Sequence, residues 1–422
     1  MKEIARFVAG AMDVIYRCCA GLDVHKQTVE CAVRRMEPDG RVQVEIGQFG
    51  TMTDDLLEMV EWLKAQGVNQ VAMESTGVFW KPIYNILEGH FTVLLVNARH
   101  VKQVPGRKTD VRDCQWLAQV LQYGLRRGSF IPPRWQRDLR DLTRERTQLK
   151  DEQTRVANRI HKVLEDANIK LGSVATDILG VSGRDIVEGL IAGKQDAEEL
   201  AQRARGKLRA KIPELRRALR GHLGEHHRFQ LRLHLDHLQR LEELIERLNQ
   251  RIAELCEPYG EQIERLDQIV GVDRVGAESI VAEVGVDMQV FPTEGHLCSW
   301  AGICSGNNES AGKRRSGRIP KGDRWLRRTL VLSAQAAGHA KDSFLASRFR
   351  RLAARRGKKR ACIAVGHSIL KIVYHLLKDG DPYRDLGGSY FDRLDPQRLT
   401  RYLVRRLERL GHKVTLQPAA TG

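Results

Sequence analysis

The sequence lacks any apolar run approaching the roughly eighteen residues that a helix needs to cross a membrane. Its N-terminal stretch, MKEIARFVAGAMDVIY, is interrupted by Glu3, Arg6 and Asp13, which argues against a secretory signal peptide. We therefore expect a cytoplasmic protein with no membrane partner. A chain of 422 residues with 42% hydrophobic side chains is long enough to bury more than one core, and so to form several domains.

The cysteines lack a pattern. The eight of them form no CxxC pair and no metal-ligand spacing with histidine. This argues against a zinc site and against a disulfide framework. Free thiols in a reducing compartment are the simplest interpretation.

Acidic residues are too few to balance the basic ones, because 70 Lys and Arg face 53 Asp and Glu, for a net charge of +17. Between Lys313 and Arg360 the sequence has 17 basic residues and two acids. A second run, Arg203 to Arg220, has eight basic residues and one acid. A solvated helix face is the ordinary explanation of one charge run, but here the rest of the chain is close to neutral. The pattern favours a nucleic-acid partner.

Residues 17–130 alternate between strand and helix patterns, which predicts a mixed sheet with helices packed on it. The predicted strands are Cys18 to Val24, Thr28 to Arg34, RVQVEIGQF, NQVAME and FTVLLVN. Helices are predicted near Asp54 to Gln66 and through Ile83. The last helix begins near Thr109, whose hydroxyl could cap its first turn.

Residues 131–257 predict long, charged helices. A 3,4,3,4,3 spacing of apolar residues predicts a short coiled-coil seam formed by Leu238, Leu241, Ile245, Leu248, Ile252 and Leu255. One amphipathic helix lying on its own domain explains the same spacing, because fewer than four heptads are present.

Residues 258–383 predict a mainly α domain, followed by a helical tail at 384–422. From Leu266 to Gly285, glycines between two apolar helical segments indicate a helix-hairpin-helix-like element that could hold a DNA phosphate on backbone N–H groups. An ordinary helix pair joined by a glycine turn is the alternative.

Four acidic residues of the predicted α/β domain can lie close together in the fold. Asp23 follows the first strand, and Glu74 ends the strand NQVAME. Asp110 and Asp113 lie three apart, on one face of the last helix. Clustered carboxylates oppose ionisation unless cations neutralise them, and hard oxygen ligands suit Mg²⁺ or Mn²⁺.

Two such ions assist phosphodiester cleavage, so the set predicts nuclease or strand-transfer chemistry. Each acid taken singly could be a helix cap or an exposed helix residue, whereas their order along the chain favours a shared site. Arg107 and Lys108, just before Asp110, are placed to contact a phosphate. We do not count His25 as a ligand.

The segment from Ser305 to Ser316 combines glycines, hydroxyls and dense positive charge. Ser310 has small neighbours, and the cations after it can neutralise phosphate charge. On these residues alone Ser305 and Ser316 are rivals, and a phosphate-binding loop without covalent chemistry is favoured. The cations that we assign to nucleic-acid binding here are Lys313, Arg314, Arg315, Arg318, Lys321, Arg324, Arg327 and Arg328.

Five motifs carry a resemblance to a known family: GLDVHK, AMESTGVFWKPIY, KTDVRDCQWLAQ, LDQIVGVDRVGAESI and SWAGICSGNNESAGKRRSGRIPKGDRWLR. From Arg17 to Tyr383, in this order, they resemble the DEDD transposases of the bacterial insertion-sequence family numbered one-ten, including its one-one-one-one branch. The resemblance implies a RuvC-like domain of RNase H fold with catalytic acids matching Asp23, Glu74, Asp110 and Asp113. It also implies a coiled-coil region and a transposase domain whose catalytic serine matches Ser310. The chain departs from many relatives at Glu309 and Ala311, beside this serine.

The resemblance further implies recombination through a phosphoserine intermediate, excision of a circular element, and insertion directed by a structured bridge RNA that pairs with donor and target double-stranded DNA. It implies dimers that pair into a tetramer, in which the serine of one subunit completes the acidic site of another. Such an enzyme would work at the bacterial nucleoid.

Two other functions fit parts of the pattern. One is a metal-dependent nuclease of the Holliday-junction resolvase type, in which Ser310 only holds phosphate. The other is a non-enzymatic architectural protein that binds RNA or DNA, for which the basic segment is sufficient.

Overall fold

The structure of the chain is a computed structural model that describes residues 14–74, 77–96, 113–124, 128, 131–304, 306, 308–310 and 313–417. Residues 308–310 and 313–316 are described by their backbone alone. The chain divides into two compact units, Met1–Ile131 and Pro132–Gly422. The second unit contains most of the last three predicted domains, whose boundaries stay predictions.

The first unit is built on a five-stranded sheet. Its strands are β1 (Cys18–Val24), β2 (Thr28–Met36), β3 (Val42–Gly50), β4 (Gln70–Glu74) and β5 (Thr92–Val96). They lie in the order β3-β2-β1-β4-β5, with β1 antiparallel to β2, β2 antiparallel to β3, and β4 parallel to both β1 and β5. This pairing confirms the predicted mixed sheet.

Helices cover both faces of this sheet: α1 (Thr53–Ala65), α2 (Trp80–Leu87) and α3 (Asp113–Gln122). On one face, α1 and α2 pack through a core that includes Leu22 and Met59. On the other face, α3 packs on β1 and β4 through Cys19 and Ala72. Because β1 is covered on both faces, its sequence CCAGLDV shows no polar alternation. The predicted helix start at Thr109 lies outside the described residues.

The helix α3 lies directly on the backbone of β1 at Gly21. A Cβ atom on Gly21 would lie 2.2 Å from the carbonyl oxygen of Cys114 and 2.4 Å from the amide nitrogen of Ala118. Only glycine leaves room for a helix at this distance, because protein interiors are close-packed. Since Cys114 follows Asp113, the contact determines where Asp113 lies relative to β1.

The described residues of the second unit are helical apart from one two-stranded ribbon, β6 (Asn308–Ser310) and β7 (Lys313–Ser316). The helices are α4 (Arg134–Asp166), α5 (Leu171–Val174), α6 (Val181–Ile191), α7 (Ala197–Ala201), α8 (Ile212–Ala218), α9 (Glu225–Cys256), α10 (Gly260–Asp267), α11 (Arg274–Val284), α12 (Glu294–Trp300), α13 (Arg324–His339), α14 (Phe344–Arg356), α15 (Lys358–Asp379), α16 (Tyr390–Leu394) and α17 (Pro396–Arg409). Short 3₁₀ turns occupy Gly206–Lys211, Glu257–Tyr259 and Met288–Val290. The predicted helical character of this region is confirmed.

The two longest helices, α4 and α9, pack along each other in antiparallel orientation. Near one end of the pair Arg146 bonds to Asn249, and near the other end His227 contacts Asp166. Two hydrophobic cores flank the pair. One joins it to α5, α6, α7 and α8, and the other joins its opposite end to the helices from α10 to α15.

The predicted coiled-coil seam lies on α9 and faces the interior of its own unit. Four of its members, Leu238, Leu241, Ile245 and Ile252, are buried, and Leu248 and Leu255 are partly buried against the core. This burial agrees with the alternative of an amphipathic helix lying on its own domain, because the same chain covers the apolar stripe. A role of α9 in pairing subunits stays a prediction.

A helix pair joined by a turn at Gly271, which has a φ of +89°, is formed by α10 and α11, but α10 ends at Asp267 and overlaps the predicted element, Leu266 to Gly285, only at its start. The side chain of Asp273 caps α11 by accepting a bond from the amide of Gly276 at 2.8 Å. The pair is therefore present, whereas its use as a phosphate-binding element stays a prediction.

The helix α15 qualifies the expectation that no segment is long and apolar enough to cross a membrane. It is the one helix among the described residues that meets this criterion by length and composition. Half of its apolar window is buried, and Val365, Ile369 and Val373 lie in the core of the second unit. A buried core helix is apolar for the same physical reason as a membrane span, which accounts for the match.

We expect Gly21→Ala to destabilise the first unit by about 1–3 kcal/mol, because the new methyl group would press on the α3 backbone. Chemical denaturation followed by circular dichroism measures this. Gly89→Ala is the matched control, since nothing lies within 4 Å of a Cβ at Gly89. Equal stability of the two variants would show that α3 can shift away from β1 without cost.

Candidate active site

Two parallel strands bring acidic residues to the same edge of the sheet in the first unit. The β1–β4 register pairs Leu22 with Met73, so the next residue of each strand, Asp23 and Glu74, is level with the other. Asp113, the first residue of α3, lies on the face of the sheet that α3 covers at Gly21. The structure thus brings the three described acids of the predicted set to one region.

The carboxyl group of Asp23 lies in a partly buried position, with 19% of its side chain exposed. Burial raises the pKa of Asp23 above its ordinary value. His25 acts in the opposite direction, since its Nε2 lies 3.3 Å from Asp23 Oδ2. The negative charge of Asp113 raises the pKa of Asp23 further, which shows that the two acids interact.

Glu30 is a fourth acid at this edge and is not among the acids predicted from the sequence. It is the cross-strand partner of Asp23 in the β1–β2 pair, and its charge also raises the pKa of Asp23. Directly opposed residues of an antiparallel pair share a face. The short turn between the two predicted strands limits their possible registers, but the register that pairs Glu30 with Asp23 is decided only in the folded sheet.

Asp23, Glu74 and Asp113 have carboxylate oxygens, which are the type of ligand that hard divalent cations prefer. Across the described parts of the chain, however, no group of three His, Cys, Asp or Glu side chains could hold a metal ion. The fourth predicted acid, Asp110, lies outside the described residues, as do Arg107 and Lys108. The four-acid site therefore stays a prediction.

The predicted nucleophile lies on the ribbon of the second unit. Strands β6 and β7 are antiparallel, with Ser310 paired to Lys313 and Asn308 paired to Ser316. Ser310 is therefore at the turn between β6 and β7, and Ser316 is at the other end of this strand pair. Ser305, the other rival, lies outside the described residues.

The two ends of the segment 302–322, here called the serine ribbon, meet through glycine backbone. A Cβ on Gly322 would lie 2.4 Å from the carbonyl carbon of Ala301 and 2.4 Å from the amide nitrogen of Gly302. Gly302 itself has a φ of +66°, which other residues rarely adopt. The base of the serine ribbon is therefore closed by direct backbone contact.

The predicted phosphate-binding cations differ in exposure. Arg318, Lys321 and Arg324 are exposed. Arg327 is half-buried and donates to the carbonyl oxygen of Pro320 at 3.1 Å, and Arg328 makes two bonds of 2.5 Å to Asp151 on α4. These two arginines thus connect α13 to its surroundings. The side chains of Lys313, Arg314 and Arg315 lie outside what is described.

A second group of exposed cations surrounds Gly357, where α14 ends and α15 begins. We call it the basic corner, and its members are Arg355, Arg356, Lys358, Lys359 and Arg360. Their charge was part of the basic surplus in the sequence, but no site was assigned to them. Cations in the first turn of α15 lie at the positive end of the helix dipole, which is unfavourable unless anions approach.

Comparison with known families covers both parts of the candidate site. Residues 20–169 match a DEDD-type model described as a transposase, and residues 263–348 match a model described as the transposase IS116/IS110/IS902 family. The first match contains the four predicted acids, and the second contains Ser310. Comparison with curated proteins finds no match.

We expect Mg²⁺ to raise the unfolding temperature of the protein and of the control Asp39→Asn, but not that of Asp23→Asn. At a hundredfold excess over its Kd, a bound ion stabilises by about 2.7 kcal/mol. Differential scanning calorimetry with and without Mg²⁺ measures the shift. Asp39 is a suitable control because it lies in the turn before β3, 57% exposed.

Without metal, Asp23→Asn should be at least as stable as the original protein. A folded-state pKa above the ordinary value means that the ionised carboxylate disfavours the native state at neutral pH. A Mg²⁺ shift that persists in Asp23→Asn would place the ion elsewhere.

Proposed function

Since the chain belongs to the IS116/IS110/IS902 family of transposases, we propose that it excises and inserts a mobile DNA element through a phosphoserine intermediate. The observation that carries the proposal is the agreement between geometry and family. The acids that meet at the β1–α3 contact lie in the first matched region, and the serine ribbon lies in the second.

The first unit is proposed to be a RuvC-like domain of RNase H fold. Support comes from the sheet, in which three antiparallel strands are followed by two parallel ones in the order β3-β2-β1-β4-β5. Further support comes from the position of the acids. Asp23 lies on the central strand, Glu74 ends the neighbouring parallel strand, and Asp113 begins the helix that packs on both.

Asp23, Glu74, Asp110 and Asp113 are proposed to hold divalent metal, Mg²⁺ or Mn²⁺. When bound, such ions supply charge stabilisation for the oxygens of a phosphodiester and lower the pKa of an attacking hydroxyl. The protein's own contribution is to hold carboxylates together against their repulsion. Burial, and after it the charges of Asp113 and Glu30, raise the pKa of Asp23, and bound cations would oppose this by stabilising the ionised carboxylate.

In the proposed reaction the hydroxyl oxygen of Ser310 attacks a DNA phosphorus atom. A P–O bond to a deoxyribose oxygen breaks, the serine proton passes to a base, and the leaving oxygen takes up a proton. The new phosphoserine ester conserves the phosphodiester linkage, so a second DNA hydroxyl can displace the serine and complete strand exchange. Basic residues around the ribbon, among them Arg318 and Lys321, would stabilise the phosphate charge.

A structured bridge RNA and a dimer-to-tetramer assembly complete the proposal. The basic surplus exceeds what one short DNA contact requires, because it occupies two separate segments, 203–220 and 313–360. This distribution supports a partner set that includes both double-stranded DNA and RNA. Sequencing of RNA that copurifies with the protein tests the RNA, since a guide must contain segments matching donor and target.

Ser310→Ala should abolish the covalent protein–DNA adduct formed on nicked substrate, with a loss of roughly 10³-fold or more in its rate. Ser316→Ala is the matched control, because Ser316 lies on the same ribbon at its opposite end. Denaturing gels of labelled DNA measure the adduct in the presence of Mg²⁺.

Two other results would each overturn the proposal in its own way. Metal-dependent cleavage at full rate with no adduct would assign the protein as a nuclease of the resolvase type. If Asp23→Ala and removal of Mg²⁺ leave every activity unchanged, the protein is an architectural nucleic-acid binder.

The double variant Lys358→Gln/Lys359→Gln in the basic corner should weaken DNA binding at all sequences. If each lysine neutralises one phosphate, the slope of log K against log salt should become shallower by about 1.8. Arg240→Gln/Arg251→Gln is the control, since both arginines are exposed on α9 and paired with Glu243 and Glu254. Fluorescence anisotropy over a salt series measures both, and equal slopes would exclude the corner from the interface.

A further inference from the structure

Glu283, near the C-terminal end of α11, is an acid with only 2% of its side chain exposed. Its carboxylate lies between α4 and α13. Arg144 of α4 donates to it twice, from Nε to Oε1 and from Nη2 to Oε2, both at 2.7 Å. Arg140, one turn earlier, contributes its Nε at 3.3 Å from Oε2. A buried carboxylate thus faces two guanidinium groups.

Asp323 extends this cluster to the serine ribbon. Its Oδ2 lies 3.5 Å from Arg144 Nη2, and its charge acts directly on Glu283. Its Oδ1 caps α13 by accepting bonds from the amides of Trp325 at 2.8 Å and Leu326 at 3.0 Å. One carboxylate therefore both begins α13 and connects it to α4 and α11.

The position of Asp323 along the chain gives the cluster its significance. It directly follows Gly322, whose backbone contacts Ala301 and Gly302 at the other end of the serine ribbon. Holding Asp323 in place therefore holds both ends of the segment that carries Ser310. The exposed ion pair between Arg328 and Asp151 also joins α13 to α4, but it lies about one turn further along α13 than Asp323.

We propose that Glu283 is a positioning residue for Ser310: through Arg144 and Asp323 it fixes the base of the serine ribbon against α4. This inference rests on the proposed serine chemistry. Glu283 is not placed at the reacting atoms. Its effect on the reaction comes from limiting the positions that the ribbon can take, and small displacements of a nucleophile strongly reduce its reactivity.

The charges of the cluster make the connection sensitive to pH. Burial raises the pKa of Glu283 to about 7, Arg144 lowers it, and Asp323 raises it. The other charged groups facing the cluster are Arg140 and Asp141 on α4. A native-state pKa above the ordinary 4.5 means that the folded chain binds more protons than the unfolded one between pH 4.5 and about 7. Stability from this group therefore decreases as pH rises through that interval.

The test compares Glu283→Gln with Glu278→Gln in the full chain. Glu278 is also a buried acid of α11 and pairs with Arg146 of α4 at 2.7 Å, but it has no connection to Asp323. Glu278→Gln leaves the buried Arg146 without its carboxylate and should lose stability, so it is the control for destabilisation alone. Only Glu283→Gln should slow formation of the Ser310–DNA adduct, by about tenfold or more, with the Kd for DNA unchanged.

Asp323→Asn provides a second variant that should fold well, because asparagine also caps helices. It should slow adduct formation in the same way. Hydrogen exchange of peptides from the serine ribbon should become faster in Glu283→Gln and Asp323→Asn, but not in Glu278→Gln. In addition, the unfolding temperature of the original protein, relative to Glu283→Gln, should fall as pH rises from 4.5 to about 7.

Equal slowing in Glu283→Gln and Glu278→Gln, or unchanged ribbon exchange in Glu283→Gln, would overturn the inference. Absence of an adduct in the original protein would instead defeat the proposed serine chemistry. In that case the exchange comparison still decides whether Glu283 fixes the ribbon, so the two failures are distinguishable.

Discussion

The acidic site depends on one contact, the approach of the α3 backbone to the β1 backbone at Gly21. A Cβ atom on Gly21 would lie only 2.2 Å from the carbonyl oxygen of Cys114, so no residue with a side chain fits there. This contact positions the first turn of α3, and therefore Asp113, over the strand that ends near Asp23. Side chains alone would allow the helix to slide along the sheet, whereas backbone contact at a glycine permits very little movement. The carboxylates of Asp23 and Asp113 are thus held together by a backbone contact that lies within two residues of each of them.

The second unit uses the same device for a different purpose. Gly322 meets the backbone of Ala301 and Gly302, and this closes the segment that carries Ser310. Electrostatic contacts are added there, because Asp323 follows Gly322 and reaches Arg144. A loop with its ends joined loses less conformational freedom when its tip becomes ordered. Both proposed catalytic groups are therefore supported from a neighbouring structural element.

The distribution of charge separates structural from functional ions. Inside the second unit, Glu278 and Glu283 are paired with arginines of α4, as burial requires. Exposed cations lie at the basic corner and at Arg318 and Lys321 of the serine ribbon. In the first unit, burial raises the pKa of Asp23, and the neighbouring acids Asp113 and Glu30 raise it further. Such a cluster of like charges is costly to the fold, and that cost is consistent with selection for catalysis.

Periodicity and order along the chain were sufficient to predict the five strands, the helical second half and the placement of Asp23, Glu74 and Asp113 in one region of the sheet, because these features depend on local patterns. The role of these acids as metal ligands stays a prediction. The family resemblance, confirmed by the matches, supplied the role proposed for Ser310. The sequence alone could not show that Glu30 faces Asp23, that the α9 seam is covered by its own chain, or that Arg327 and Arg328 connect parts of the fold. Those facts depend on register and on contacts between residues up to 177 positions apart. Only tertiary packing decides them, since an exposed cation and a cation buried against a distant carboxylate look the same in a sequence.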